Sequence, residues 1–71
     1  MTLEINGESK DFPDGATLAA LIEQLGSKPD RVAVELNLEI VPRDKWKETV
    51  LRNGDRLEIV HFVGGGSETA A

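Results

Sequence analysis

Apolar and polar residues alternate through Thr2-Leu3-Glu4-Ile5-Asn6, the pattern of a strand with one buried face. Asn6-Gly7 predicts a tight turn, because both residues tolerate positive φ, and Ser9 to Phe12 should return as the second strand of a hairpin. Pro13-Asp14-Gly15 then breaks the pattern. Beyond it the period changes: Leu18, Leu21, Ile22 and Leu25 fall at i, i+3, i+4 and i+7, one stripe of a helix. Thr17 is placed to cap the helix N-terminus, and Gly26 stands where the other end favours a left-handed residue. The period returns to two in Arg31 to Leu36, with Val32, Val34 and Leu36 on one face. Asn37-Leu38-Glu39 predicts a turn, and Ile40-Val41 a short strand that Pro42 stops. Arg43 to Trp46 reads as a single helical turn whose tryptophan caps one end of the core, and Lys47 to Leu51 as a short extended piece. Arg52-Asn53-Gly54-Asp55 turns the chain into a last strand, Leu57 to Val63, rich in β-branched and aromatic residues.

Hairpin, helix, strand, short strand, turn and final strand fit an α+β fold: a mixed sheet with one main helix across one face. The first and last strands make the natural central pair, running parallel, which is the β-grasp (ubiquitin-like) arrangement. Its expected core is Leu3, Ile5, Leu18, Leu21, Ile22, Leu25, Val32, Val34, Leu57 and Ile59. Residues 1–63 form the domain in this reading, and residues 64–71 a flexible glycine-rich tail.

Composition narrows the function. A chain of 71 residues makes one small domain with no room for a deep active-site cavity. It has no cysteine and one histidine, so neither a disulfide framework nor a zinc site is expected. Thirteen acidic against eight basic residues give a net charge of −5, which argues against nucleic-acid and anionic-membrane partners. No apolar run approaches ~20 residues and the start is not signal-like, so a cytoplasmic protein is expected. No catalytic constellation is visible, and an enzyme is not expected.

The candidate for chemistry is the stretch after the last strand, Gly64-Gly65-Gly66. Glycine loses more backbone entropy on ordering than any other residue, so a stiff strand hands over to a thread without side chains. Fully extended, three residues reach roughly 10 Å, enough to carry a backbone carboxyl into a narrow cleft while the globule stays outside. A plain linker is the competing account of the same residues.

Two stretches carry a family resemblance. Val34-Glu35-Leu36-Asn37-Leu38-Glu39-Ile40-Val41-Pro42-Arg43-Asp44-Lys45-Trp46 resembles the A-x-N-x-x-x-V-P-R-x-x-W segment of the ThiS family of bacterial sulfur carriers. Asn53 to Gly66 is similar to that family's closing G-D-x-x-E-I-V-x-x-V-G-G-G segment. The order and spacing of elements between them also agree, so the resemblance covers Met1 to Gly66. It implies a ubiquitin-like carrier for the thiazole of thiamin. A ThiF-like adenylating enzyme would activate the glycine carboxylate at the expense of ATP, the carrier itself binding no cofactor. The acyl adenylate would become a thiocarboxylate that gives its sulfur to a ThiG-like thiazole synthase. Gly66 would be the residue activated, with Gly65 beside it.

The last strand supplies a handle for such partners. Leu57 and Ile59 should point inward, with His61 as a packing residue near the rim. Glu58, Val60 and Phe62 should point outward and, with Gly64, form the partner-docking surface. One feature departs from the family: Ser67-Glu68-Thr69-Ala70-Ala71 follows the glycines, so the Gly66 carboxyl is an amide. Either a peptidase removes residues 67–71, as in related carriers whose diglycine is masked, or they are foreign to the natural chain. Masked carriers also serve cysteine, homocysteine and siderophore sulfur supply. The small subunit of molybdopterin synthase shares the fold and glycine ending but lacks the Val-Pro-Arg-x-x-Trp stretch. A ubiquitin-like interaction module, its glycines a mere linker, is the alternative from another class.

Overall fold

The computed structural model describes residues 1–62. Five strands form one mixed sheet: β1 (Thr2–Ile5), β2 (Glu8–Asp11), β3 (Val32–Leu36), β4 (Glu39–Ile40) and β5 (Arg56–His61). Their spatial order is β2-β1-β5-β3-β4. β1 and β5 run parallel, and the other pairings are antiparallel. The expected neighbours β1 and β5 are therefore adjacent, and β5 takes the middle of the sheet. Helix α1 (Leu18–Gln24) lies against the inward face, contributing Leu18, Leu21 and Ile22 to the core.

Local chemistry sets the ends of these elements. Asn6 and Gly7 have φ of 51° and 85°, as the hairpin turn between β1 and β2 requires. The Thr17 hydroxyl accepts from the Ala20 N–H at 3.2 Å and caps α1. At the other end Gly26 takes φ 77°, its N–H donating to the Glu23 carbonyl and that of Ser27 to Ile22, the Schellman pattern. This ending corrects one expectation. Leu25 is the C-cap, past the last helical residue, and is 37% exposed instead of lying in the core.

The core otherwise matches the stripe and the strand alternation: Leu3, Ile5, Val32, Val34, Leu57 and Ile59 from the sheet meet the helix. Each such aliphatic side chain contributes about 1.5–3 kcal/mol by burial. Phe12, Trp46 and Leu51 complete it. Trp46 sits in a 3-10 helix, Arg43–Glu48, and its indole N–H donates to the Val41 carbonyl at 2.9 Å, so the ring is buried with its polar atom satisfied. After it, Thr49 to Leu51 runs antiparallel to the start of α1: Leu18 N–H donates to Thr49 and Leu51 N–H to Ala16. This clamp buries Leu51.

β5 is held sideways by two asparagine side chains. Asn6, just past β1, accepts from the Ile59 N–H at 2.8 Å and donates to the Ile59 carbonyl at 3.2 Å. Asn37, just past β3, accepts from the Arg56 N–H at 3.0 Å and donates to the Asp55 carboxylate at 3.1 Å. Each amide continues a ladder where a strand has stopped, which fixes the register of β5 from both flanks. Among the described residues no helix is long and apolar enough to cross a membrane.

Candidate functional site

Alternation along β5 divides its side chains between two environments. Leu57 and Ile59 are buried under α1, whereas Arg56, Glu58 and Val60 face the side that no helix covers. His61 follows the inward set but lies at the rim. It is exposed, and its Nε2 lies 3.1 Å from the Ser27 hydroxyl. The expectation of a packing residue is corrected: the ring sits at the exposed rim, beside a serine hydroxyl that follows the end of α1.

Three of the four residues expected to dock a partner lie within the described chain. Glu58 is exposed, Val60 is 56% exposed and Phe62 46% exposed. The Phe62 N–H donates to the Arg31 carbonyl at 2.8 Å, carrying the β3–β5 ladder one bond past the strand. Its ring lines a groove of about 280 Å³ along the β3 edge with Val32, Ile40, Pro42, Arg43 and Trp46. The fourth, Gly64, lies outside the described residues, as do Gly65, Gly66 and Ser67 to Ala71. In sequence, one residue separates Gly64 from Phe62.

The open face also holds residues that the sequence pattern missed. Register sets Ala33 beside Val60, Glu35 beside Glu58, and Ile40 beside Glu35. A second groove of about 280 Å³ on this face is lined by Ala33, Glu35, Leu38, Ile40, Glu58 and Val60. Leu38 is 83% exposed and adopts φ 73°, in the turn between β3 and β4 where Asn37 has φ 52°. A left-handed conformation costs an L-residue with a bulky side chain about 1–2 kcal/mol, which is why such turns favour Asn-Gly. A leucine both strained and exposed, at the lip of an apolar groove, is better explained by contact with another surface than by the fold. The absence of glycine after Asn37 was the available signal.

At the other end of the face, the Arg56 guanidinium reaches Glu4 on β1, with Nε 3.6 Å from Oε1. Among the described residues no group of three His, Asp or Glu side chains is gathered to hold a metal. The face can offer contact area and charge.

A mixed sheet ordered β2-β1-β5-β3-β4 with a helix across one face, its central strand leading into three glycines, defines a ubiquitin-like β-grasp domain. Residues 3–66 match the model of the ThiS family, and the chain belongs to that family. It is 37% identical over 65 residues to the sulfur carrier protein ThiS of Bacillus subtilis, covering 90% of this chain and 98% of that one. It is 49% identical over 70 residues to a thiazole synthase of Paramagnetospirillum magneticum, covering 99% of this chain but only 22% of that protein's length. Among solved structures, the thiamine biosynthesis protein ThiS of Geobacter metallireducens superimposes with a TM-score of 0.80 at 30% identity. That likeness covers 93% of this chain and all of the other.

Proposed function

We propose that this chain is a sulfur carrier for the thiazole of thiamin, working as a co-substrate and not as a catalyst. The observation that carries the reading is the extent of the family match, which runs through the whole described fold and ends at Gly66, one residue before Ser67. A resting carboxylate is a poor electrophile. An adenylating enzyme would join the Gly66 carboxylate to the α-phosphate of ATP with loss of pyrophosphate, making one oxygen part of a leaving group. Hydrosulfide would then displace AMP and leave a thiocarboxylate, whereas a persulfide donor would first give an acyl disulfide that a thiol reductant must cleave. An acyl adenylate must be kept from water, so the glycines would thread a closed channel. A β-carbon at Gly65 or Gly66 would widen the thread and forbid some of its backbone angles. Glu58, Val60, Phe62 and Gly64 would hold the globule against the enzyme while this happens.

Delivery would be to a thiazole synthase, as the relatives bearing that name support. The chain spans about a fifth of their length, so the carrier unit is similar to one part of a larger protein there. Ser67 follows Gly66, so cleavage after Gly66 must precede activation. A ubiquitin-like interaction module with a linker after β5 is the reading this one displaces, and a cytoplasmic site of action follows from the ATP-dependent step.

The test is reconstitution with a ThiF-like adenylating enzyme and ATP. A chain ending at Gly66 should release pyrophosphate and then gain sulfur at its terminus, and the chain continuing to Ala71 should give no Gly66 thiocarboxylate. Equal activation of both chains, or of neither, contradicts the carrier role of Gly65 and Gly66.

A further inference from the structure

The chain has three asparagines, and each side-chain oxygen accepts from a strand N–H: that of Asn6 from Ile59, that of Asn37 from Arg56 and that of Asn53 from Thr2. They differ in what the amide nitrogen does and in the residue that follows. Asn6 Nδ2 donates to the Ile59 carbonyl at 3.2 Å and Asn37 Nδ2 to the Asp55 carboxylate at 3.1 Å. Asn53 Nδ2 has no partner among the described residues. Glycine follows Asn6 and Asn53, and leucine follows Asn37. Asn6 alone joins a bonded amide nitrogen to a following glycine. That pairing matters because an asparagine side chain can react with the backbone nitrogen of the next residue, and glycine, lacking a β-carbon, hinders the approach least. Asn6 and Gly7 are both exposed in the turn between β1 and β2. Among the described residues the Gly7 N–H has no hydrogen-bond partner, and nothing lies within 4 Å of the place where a β-carbon would stand. At the second pair the Gly54 N–H is tied to the Thr2 carbonyl at 2.8 Å.

We propose that Asn6 is a self-modification site, whose deamidation loosens the hold on β5 and destabilises the domain. The Gly7 nitrogen gives up its proton and attacks Cγ of Asn6. A carbon–nitrogen bond forms, the Cγ–Nδ2 bond breaks, and the amide nitrogen takes up a proton and leaves as ammonia. Water then opens the cyclic succinimide. Attack at Cγ gives aspartate, and attack at the main-chain carbonyl gives isoaspartate, with the backbone rerouted through the side chain. In total one water enters and one ammonia leaves, with no oxidant, reductant or cofactor. The fold sets both the rate and the consequence. Ring closure needs Cγ to turn toward the Gly7 nitrogen, and the two bonds to Ile59 hold the amide at β5, so the reaction waits for local opening of that contact. Once Asn6 has become aspartate, its oxygens only accept. One can still take the Ile59 N–H, but the carbonyl of Ile59, a residue 6% exposed, loses its donor and faces a carboxylate. Isoaspartate lengthens the backbone between the paired residues Ile5 and Glu8 and so disturbs their register. The same change at Asn53 leaves its bond in place, because there the oxygen alone is used.

The full chain is incubated at physiological temperature, folded and in denaturant. Each asparagine peptide is followed by mass spectrometry, with enzymatic methyl transfer to isoaspartate as a second readout. In denaturant Asn6 and Asn53 should convert together, well ahead of Asn37. In the folded chain Asn6 should convert at least about tenfold more slowly than in denaturant, faster as pH rises, and ahead of Asn53, whose glycine nitrogen is bonded. Asn6→Asp, the product made directly, should lower the melting temperature by about 4–15 °C, and Asn53→Asp by less than about 4 °C. If Asn6→Asp does not fold, the unaltered chain aged to partial conversion gives the same comparison, its modified fraction melting below the unmodified one. An Asn6 that stays intact in the folded chain while the denatured chain is converted overturns the proposal. So does an Asn53 that converts first in the folded chain, or a modified Asn6 fraction that melts with the unmodified one.

Discussion

Leu57 and Glu58 are adjacent in β5, yet their surroundings have almost nothing in common. Leu57 is 2% exposed, pressed between β1, β3 and the helix, while Glu58 faces outward beside a second glutamate. The same strand therefore carries two kinds of sequence logic on alternate residues. The inward set follows the rules of a small fold: aliphatic, packed and fully enclosed. The outward set violates them, with exposed Val60 and Phe62, opposed carboxylates and a left-handed leucine close by. A domain of this size has little stability to spare, so features that cost stability on one face and not on the other point to a use for that face.

Substitutions on the two sides should separate these roles. The largest effect is expected inward: Leu57→Ala should destabilise the domain by about 2–5 kcal/mol through lost burial and the cavity left behind. Chemical denaturation measures it, and a loss under about 1 kcal/mol would mean that the helix does not rest on β5 as described. Outward, Phe62→Ala should weaken binding to the adenylating enzyme by ~1–3 kcal/mol with little change in unfolding free energy. Unchanged affinity would remove Phe62 from the docking surface. The smallest effect has the opposite sign for folding. Leu38→Gly should stabilise the free domain by up to about 1 kcal/mol by relieving the left-handed turn, while weakening docking. A destabilised Leu38→Gly domain would mean that the side chain serves the fold after all.

The same contrast explains what could be read from the chain. Period-two and period-3.6 patterns report burial within one element, so β1, β3, β5, the helix and the inward face of the sheet were legible. Leu25 was misplaced because the stripe continued one residue past the helix, and only the Schellman ending shows where the stripe ceases to face the core. Phe12 and Leu51 are isolated apolar residues in irregular segments. Their burial depends on pairing with distant backbone, Phe12 through Met1 and Leu51 through Ala16. The amide of Asn6 meets a residue 53 positions away, which no local pattern encodes. The open face of the sheet was half legible. Alternation gave Glu58, Val60 and Phe62, but Leu38 and Ile40 read as turn and short strand. Only the register brought Ile40 beside Glu35, and Glu35 beside Glu58.

All of this presumes that the open face exists to position a glycine carboxyl for sulfur chemistry. The most direct measurement is mass spectrometry of the peptide containing Gly64-Gly65-Gly66, taken from protein isolated from its native cell during active thiamin synthesis. The account predicts a peptide that ends at Gly66, a fraction of it carrying sulfur in place of one carboxyl oxygen. A peptide that runs unbroken from Gly66 into Ser67 in all of the protein would contradict it.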